Sequence, residues 1–226
     1  MRDSRKIPFV SAAVGVVLLA GVVAFTVGLG ELDDGAAEEP GGSGGSVGSG
    51  GSGASSDGVE LPDELSAGLV AVDLGRLPAQ LTQQFGDLTR LADQESSIAD
   101  GLEDVFGAPG AFRIYASEEG PSLAQIAVVD KAPGLFLEAL PLDPEVLGVT
   151  RPSAELTRVD DAVCSVNWGQ EVPAGQEVDP EAAPQSVRCQ LGVGERTYEI
   201  TAQGLGVDET VAVVTDLAGR VAGQDQ

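Results

Sequence analysis

Cys164 and Cys189 are the only cysteines of the chain, and each sits inside a segment whose apolar residues recur at every second position. From Asp161 to Trp168 the shared side is Ala162, Cys164, Val166 and Trp168; from Ser186 to Val193 it is Val187, Cys189, Leu191 and Val193. A period of two marks a half-buried strand. Antiparallel pairing that sets Cys164 opposite Cys189 also sets Val166 opposite Val187 and Ala162 opposite Leu191, so a disulfide and the apolar pattern call for the same register. Gly194-Glu195 then fits a two-residue type II′ turn, with glycine where φ must be positive. The returning strand brings Tyr198 against Leu191 and Ile200 against Cys189, and three strands share one apolar surface.

Something must cover that surface. The last segment offers Val211, Val214, Leu217, Ala218 and Val221 at helical spacing, with Asp208 as the expected N-cap. Upstream, Leu77, Leu81, Phe85 and Leu88 predict one helix, and Ile98, Leu102, Val105 and Phe106 a second, capped by Ser97 and stopped by Gly107. Val70, Val72 and Leu74 alternate as a short strand would. A hairpin follows Pro109, in which Ile114 is expected opposite Ile126, Phe112 opposite Val128 and Ala116 opposite Ala124. Helices, antiparallel strands and a closing helix together predict an α+β domain over residues 59–226.

Residues 7–30 are 24 consecutive residues without a charge. As a helix they would reach about 36 Å, enough for a hydrocarbon core of about 30 Å. Arg2, Arg5 and Lys6 precede the run, and Glu31, Asp33, Asp34, Glu38 and Glu39 follow it. The charge asymmetry predicts a cytoplasmic tail over 1–6, an uncleaved transmembrane helix over 7–30 and a domain outside the cell membrane. A cleaved signal peptide would have a shorter apolar region closed by a small-x-small site, and no Ala-x-Ala triplet closes this one. Residues 31–58 read as a disordered linker, first acidic and then Gly/Ser-rich, because 15 of the 18 residues from 41 to 58 are Gly or Ser.

Composition removes several functions. With 12 basic against 36 acidic residues the chain carries a net charge of -24, so it lacks the basic face that a nucleic-acid partner requires. With no histidine it has neither a Ser-His-Asp nor a Cys-His arrangement, nor a His-ligated zinc. Cys164 and Cys189 are too far apart in sequence for a Cys-x-x-Cys redox motif and are expected to form a structural disulfide. Lys131 is the only lysine beyond residue 6, and Ser122 lies near it in sequence without the Ser-x-x-Lys spacing of a hydrolase. No calcium loop pattern occurs around Asp160-Asp161. The expectation is therefore a non-enzymatic protein without a metal or cofactor.

Trp168, the sole tryptophan, falls on the side of Cys164 and Val166 and is expected in the core. Residues 169–185 join two paired strands by a long segment with Pro173, Pro180 and Pro184, and with Glu171, Glu177, Asp179 and Glu181 uncompensated by any base. A loop of that length is either a recognition element or disordered; as the former, its four acids suit a basic patch on a partner.

Ten Arg against two Lys, abundant Ala, Gly and Val, and the short basic N-terminus give the chain a layout that resembles single-pass membrane-anchored envelope proteins of high-GC Gram-positive bacteria. The run VCSVNW, VRCQL, TYEITAQGL and the Asp208 helix is loosely similar, over about sixty residues, to outer sensor domains of bacterial receptor kinases. A six-residue cytoplasmic end departs from such receptors. The resemblance implies a membrane-tethered extracytoplasmic interaction domain with an envelope protein as partner. The alternative is a small-ligand or lipid-binding sensor module, for which an apolar cavity between helix and sheet is expected.

Overall fold

The paired cysteines set the middle of the sheet. The structure, a computed structural model, describes residues 59–77, 85–136, 138–139 and 143–224. Strand β7 (Ala162–Asn167) pairs antiparallel with β9 (Ser186–Val193), with Cys164 opposite Cys189 and Val166 opposite Val187. The disulfide joins two residues whose Cα atoms are 4.1 Å apart, the close spacing of a pair not bridged by backbone hydrogen bonds. Strand β10 (Arg196–Gln203) returns beside β9 with Tyr198 opposite Leu191 and Ile200 opposite Cys189. Gly194, at φ 62°, supplies the positive dihedral of the two-residue turn between them.

The remaining strands extend this centre to both sides. They are β1 (Glu64–Leu65), β2 (Leu69–Ala71), β3 (Gly110–Ser117), β4 (Leu123–Val129) and β6 (Ala154–Val159). Among the described residues, eight strands form one sheet in the order β1-β2-β3-β4-β10-β9-β7-β6, with every ladder antiparallel. A separate two-stranded ladder joins β5 (Val149–Arg151) to β8 (Val172–Pro173).

Two long helices flank the sheet. Helix α1 spans Leu88–Phe106, a short helix α2 spans Pro144–Leu147, and helix α3 spans Val207–Gln224. Helix α3 lays Val211, Val214, Leu217, Ala218 and Val221 on the face formed by Ile126, Val128, Cys164, Val166, Cys189, Tyr198 and Ile200. That covering is the one expected. Its cap is not: Asp208 lies inside the helix, and the Glu209 carboxylate reaches back to accept from the Gly206 N-H at 2.9 Å.

Helix α1 packs on the opposite face, at β3. Asp87 caps it by accepting from the Thr89 N-H at 2.9 Å, and Ser97 lies in its interior, contrary to expectation. Its buried side is Leu91, Glu95 and Ala99, whereas Val105 is 77% exposed. Gly107 ends the helix as expected, in the left-handed region. A Cβ on Gly110 would stand 3.0 Å from Leu102 Cβ, so the missing side chain lets helix and strand approach. Val70 belongs to β2, but Val72 and Leu74 fall in a 3-10 turn instead of continuing the strand.

The first hairpin departs from its expected register by one residue. Arg113, not Ile114, lies opposite Ile126; Ala111 faces Val128 and Tyr115 faces Ala124. Phe112, Ile114 and Ala116 consequently point to the α1 side, and Arg113 and Tyr115 enter the main core. A one-residue slip exchanges the faces of a strand, and here tertiary partners for Arg113 decide which face is inside.

The expected spanning helix over 7–30 and the linker over 31–58 lie outside the described residues. Among the described residues no helix is long and apolar enough to cross a membrane. Both long helices are amphipathic: α1 carries Arg90, Asp93, Asp100, Glu103 and Asp104, and α3 carries Asp208, Glu209, Asp216 and Arg220. The architecture is accordingly corrected to an α+β domain, and the transmembrane helix, the single-span membrane partnership and the membrane location are not supported by it.

Candidate functional site

At one end of the sheet, a cleft of about 370 Å³ opens between the β9–β10 hairpin and the last turn of α3. Its lining is Asp130, Val193, Glu195, Arg196, Tyr198 and Ala222. Strand endings place these groups together. Asp130 follows the last residue of β4, Val193 ends β9 opposite Arg196, and Glu195 sits in the turn. Ala222 brings the C-terminal end of α3, where unsatisfied carbonyls concentrate negative potential.

Arg196 is committed within the cleft. Its Nε donates to the Asp130 carboxylate. That hydrogen bond holds the guanidinium protonated above its usual range; partial burial opposes the effect, and the Tyr198 hydroxyl adds to it. Tyr198 is among the lining residues and is itself buried. With Arg196 balanced by Asp130, the charge left over is Glu195, which is exposed on the turn, together with the helix end. The cleft thus presents hydrogen-bonding groups and negative potential, with Val193 and Ala222 its aliphatic lining among the described residues. It is not the apolar cavity expected of a lipid-binding module.

A second charged cluster is centred on a buried guanidinium, with Asp73 buried beside it and Asp63 half-exposed at its edge. Arg113 is 1% exposed, and its guanidinium donates to Asp73 at 2.9 and 3.1 Å and to the Leu61 carbonyl at 2.9 Å, with Asp63 at 3.1 Å. Burial works against its charge, but the Asp73 hydrogen bonds outweigh it and the pKa rises. Tyr115 beside it donates to the Pro62 carbonyl at 2.8 Å, and burial holds its hydroxyl well above the usual range. On the other face, Glu95 accepts from the Ile114 N-H at 2.7 Å, a donor of β3 that points toward the side where β2 has ended. Burial pushes the Glu95 carboxyl up to about 7; the Ile114 N-H lowers it, Asp73 raises it and Arg113 lowers it. These groups tie the segment 61–73 and helix α1 to β3. Sequence pattern missed them because an arginine and a glutamate read as solvent-facing until a partner is known.

The residues singled out from sequence fall in several places. Cys164 and Cys189 are in the core as a disulfide. Lys131 donates to the Phe106 carbonyl at 2.8 Å and so satisfies the end of α1, while Ser122 donates to the Gly204 carbonyl at 3.0 Å. They stand at opposite ends of β4 and form no pair. Trp168 is half-buried at the rim of the core, with its Nε1 donating to Glu155 at 3.0 Å and the Arg151 guanidinium 4.1 Å above its ring. Glu171, Glu177, Asp179 and Glu181 are all exposed. Their loop is pinned: β8 pairs with β5, the Thr150 hydroxyl donates to the Pro173 carbonyl at 3.1 Å, and Asp179 accepts from the Glu181 N-H at 2.9 Å.

The strand, cysteine and helix order that gave the resemblance to envelope proteins and receptor-kinase sensor domains is common to antiparallel α+β domains generally, and neither that kinship nor a membrane-tethered interaction role is retained. The chain matches no protein-family model, and no match was found among curated proteins or solved structures.

Proposed function

We propose that this protein is a non-enzymatic binding module whose ligand is a small organic cation held in the cleft at the end of β9, β10 and α3. The observation that carries the reading is the cleft's charge pattern. Asp130 and Arg196 neutralise one another, and Glu195 and the end of α3 remain to meet a positive ligand. Among the described residues a fatty acyl chain would find Val193 and Ala222 alone, which is why a polar ligand is preferred to a lipid.

The test is titration of the full-length chain with butylamine, butyrate and laurate while backbone amide resonances are followed. Butylamine should shift the signals of Val193 to Tyr198 and Ala222, and Glu195→Gln should weaken that response. Shifts produced equally by butyrate, or a preference for laurate, would refute the reading.

A further inference from the structure

The two edges of the main sheet are finished differently. At one edge β1 is two residues long, and the Arg220 guanidinium donates to its Glu64 carbonyl at 3.0 Å. At the other edge β6 runs for six residues in unbroken register with β7, from Ala154 opposite Asn167 to Val159 opposite Ala162. Among the described residues no strand pairs with its outer side. Long, regular edges are usually blunted by a proline, a lysine or a bulge, and β6 has none of these between Ala154 and Val159.

Ladder phase tells which backbone groups are open. The Trp168 N-H donates to the Ser153 carbonyl at 2.7 Å, so Ser153 and Trp168 are a hydrogen-bonded pair. Alternation then makes Glu155, Thr157 and Val159 the residues bonded to β7. The N-H and C=O groups of Ala154, Leu156 and Arg158 point to the free edge.

We propose that this edge takes an extended, basic segment of a partner protein as a further antiparallel strand. Main-chain hydrogen bonds to Ala154, Leu156 and Arg158 hold it. Charge selects it. Residues 59–226 hold 9 basic and 29 acidic side chains, so a second copy of the chain is repelled and a basic segment is attracted. Acids flank the edge at both ends. Asp160 and Asp161 form the turn after Val159, and Asp161 is exposed. The loop carrying Glu171, Glu177, Asp179 and Glu181 leaves from Asn167, which lies opposite Ala154, and is tied through β8 to β5 just before β6. Glu155 is occupied by the Trp168 indole, which leaves the loop acids to meet the partner. This surface is separate from the cleft and does not depend on it.

Amide hydrogen exchange of the full-length chain with a capped alternating lysine–valine octapeptide tests the proposal, with the glutamate–valine octapeptide as control. The lysine peptide should protect the amides of Ala154, Leu156 and Arg158, and the glutamate peptide should not. Leu156→Pro removes an outward N-H without breaking the β7 ladder, and should abolish binding while the Cys164–Cys189 disulfide and the α3 amides stay native. Converting Glu171, Glu177 and Glu181 to Gln and Asp179 to Asn should weaken binding about tenfold, because four screened attractions are lost. Equal binding of both peptides, protection elsewhere, an unchanged affinity in the loop variant, or self-association of the chain through β6 would overturn it.

Discussion

The hairpin of β3 and β4 and the group formed by β7, β9 and β10 lie in the same sheet and present the same face to α3, but they are held by different means. In the latter, every inward position on Val166, Cys164, Val187, Cys189, Tyr198 and Ile200 is apolar or aromatic, and the register follows from pattern alone. In the former, the inward positions include Arg113, and a guanidinium in the core requires Asp73, Asp63 and the Leu61 carbonyl to be in place at the same time. Apolar burial is non-directional and tolerates local error, whereas a buried charge is stable only inside a completed set of partners.

Removing the set from one strand is therefore the largest perturbation. Arg113→Ala should destabilise the fold by about 3–5 kcal/mol, because it leaves Asp73 buried without its partner. Urea unfolding measures this, and a loss below about 1 kcal/mol would place the cluster with ordinary surface ion pairs. Replacing Cys164 and Cys189 together by alanine should cost roughly 3.5 kcal/mol in the loop-closure account, while leaving the register of β7 and β9 intact. A loss of the native amide spectrum would mean that the apolar pattern does not hold that register by itself.

Glu95 gives a pH-dependent contrast. Its carboxyl is near 7 in the fold against an ordinary 4.5, so the folded chain holds a proton that the unfolded chain has released. This group's contribution is full below pH 4.5, falls as pH rises through about 7 and is constant above. The shift corresponds to about 3 kcal/mol across that window. Glu95→Gln should remove this slope from the stability profile; parallel profiles for the two proteins would show that the carboxyl does not titrate as described.

The smallest effect belongs to the exposed side of the sheet. Arg188 meets Glu138 at 2.7 Å and also Glu199, but its side chain is 37% exposed. Arg188→Ala should cost less than about 1 kcal/mol in the same unfolding measurement. A loss approaching that of Arg113→Ala would show that solvent exposure does not set the difference between the two arginines.

Sequence by itself determined what repeats locally. The alternation around Cys164 and Cys189, the glycine of the β9–β10 turn, the stripe from Val211 to Val221 and the stop at Gly107 each follow from a period or a dihedral requirement contained within a few residues. The inward turn of Arg113 and Tyr115, the burial of Glu95 on α1 and the meeting of Asp130, Arg196 and Ala222 in one cleft were decided by the tertiary structure. Each depends on groups far apart in the chain: Asp73 and Leu61 for Arg113, the Ile114 N-H for Glu95, and three element ends for the cleft. A polar side chain carries no local mark of whether its partner will be water or a distant carboxylate, and only the completed fold supplies that partner.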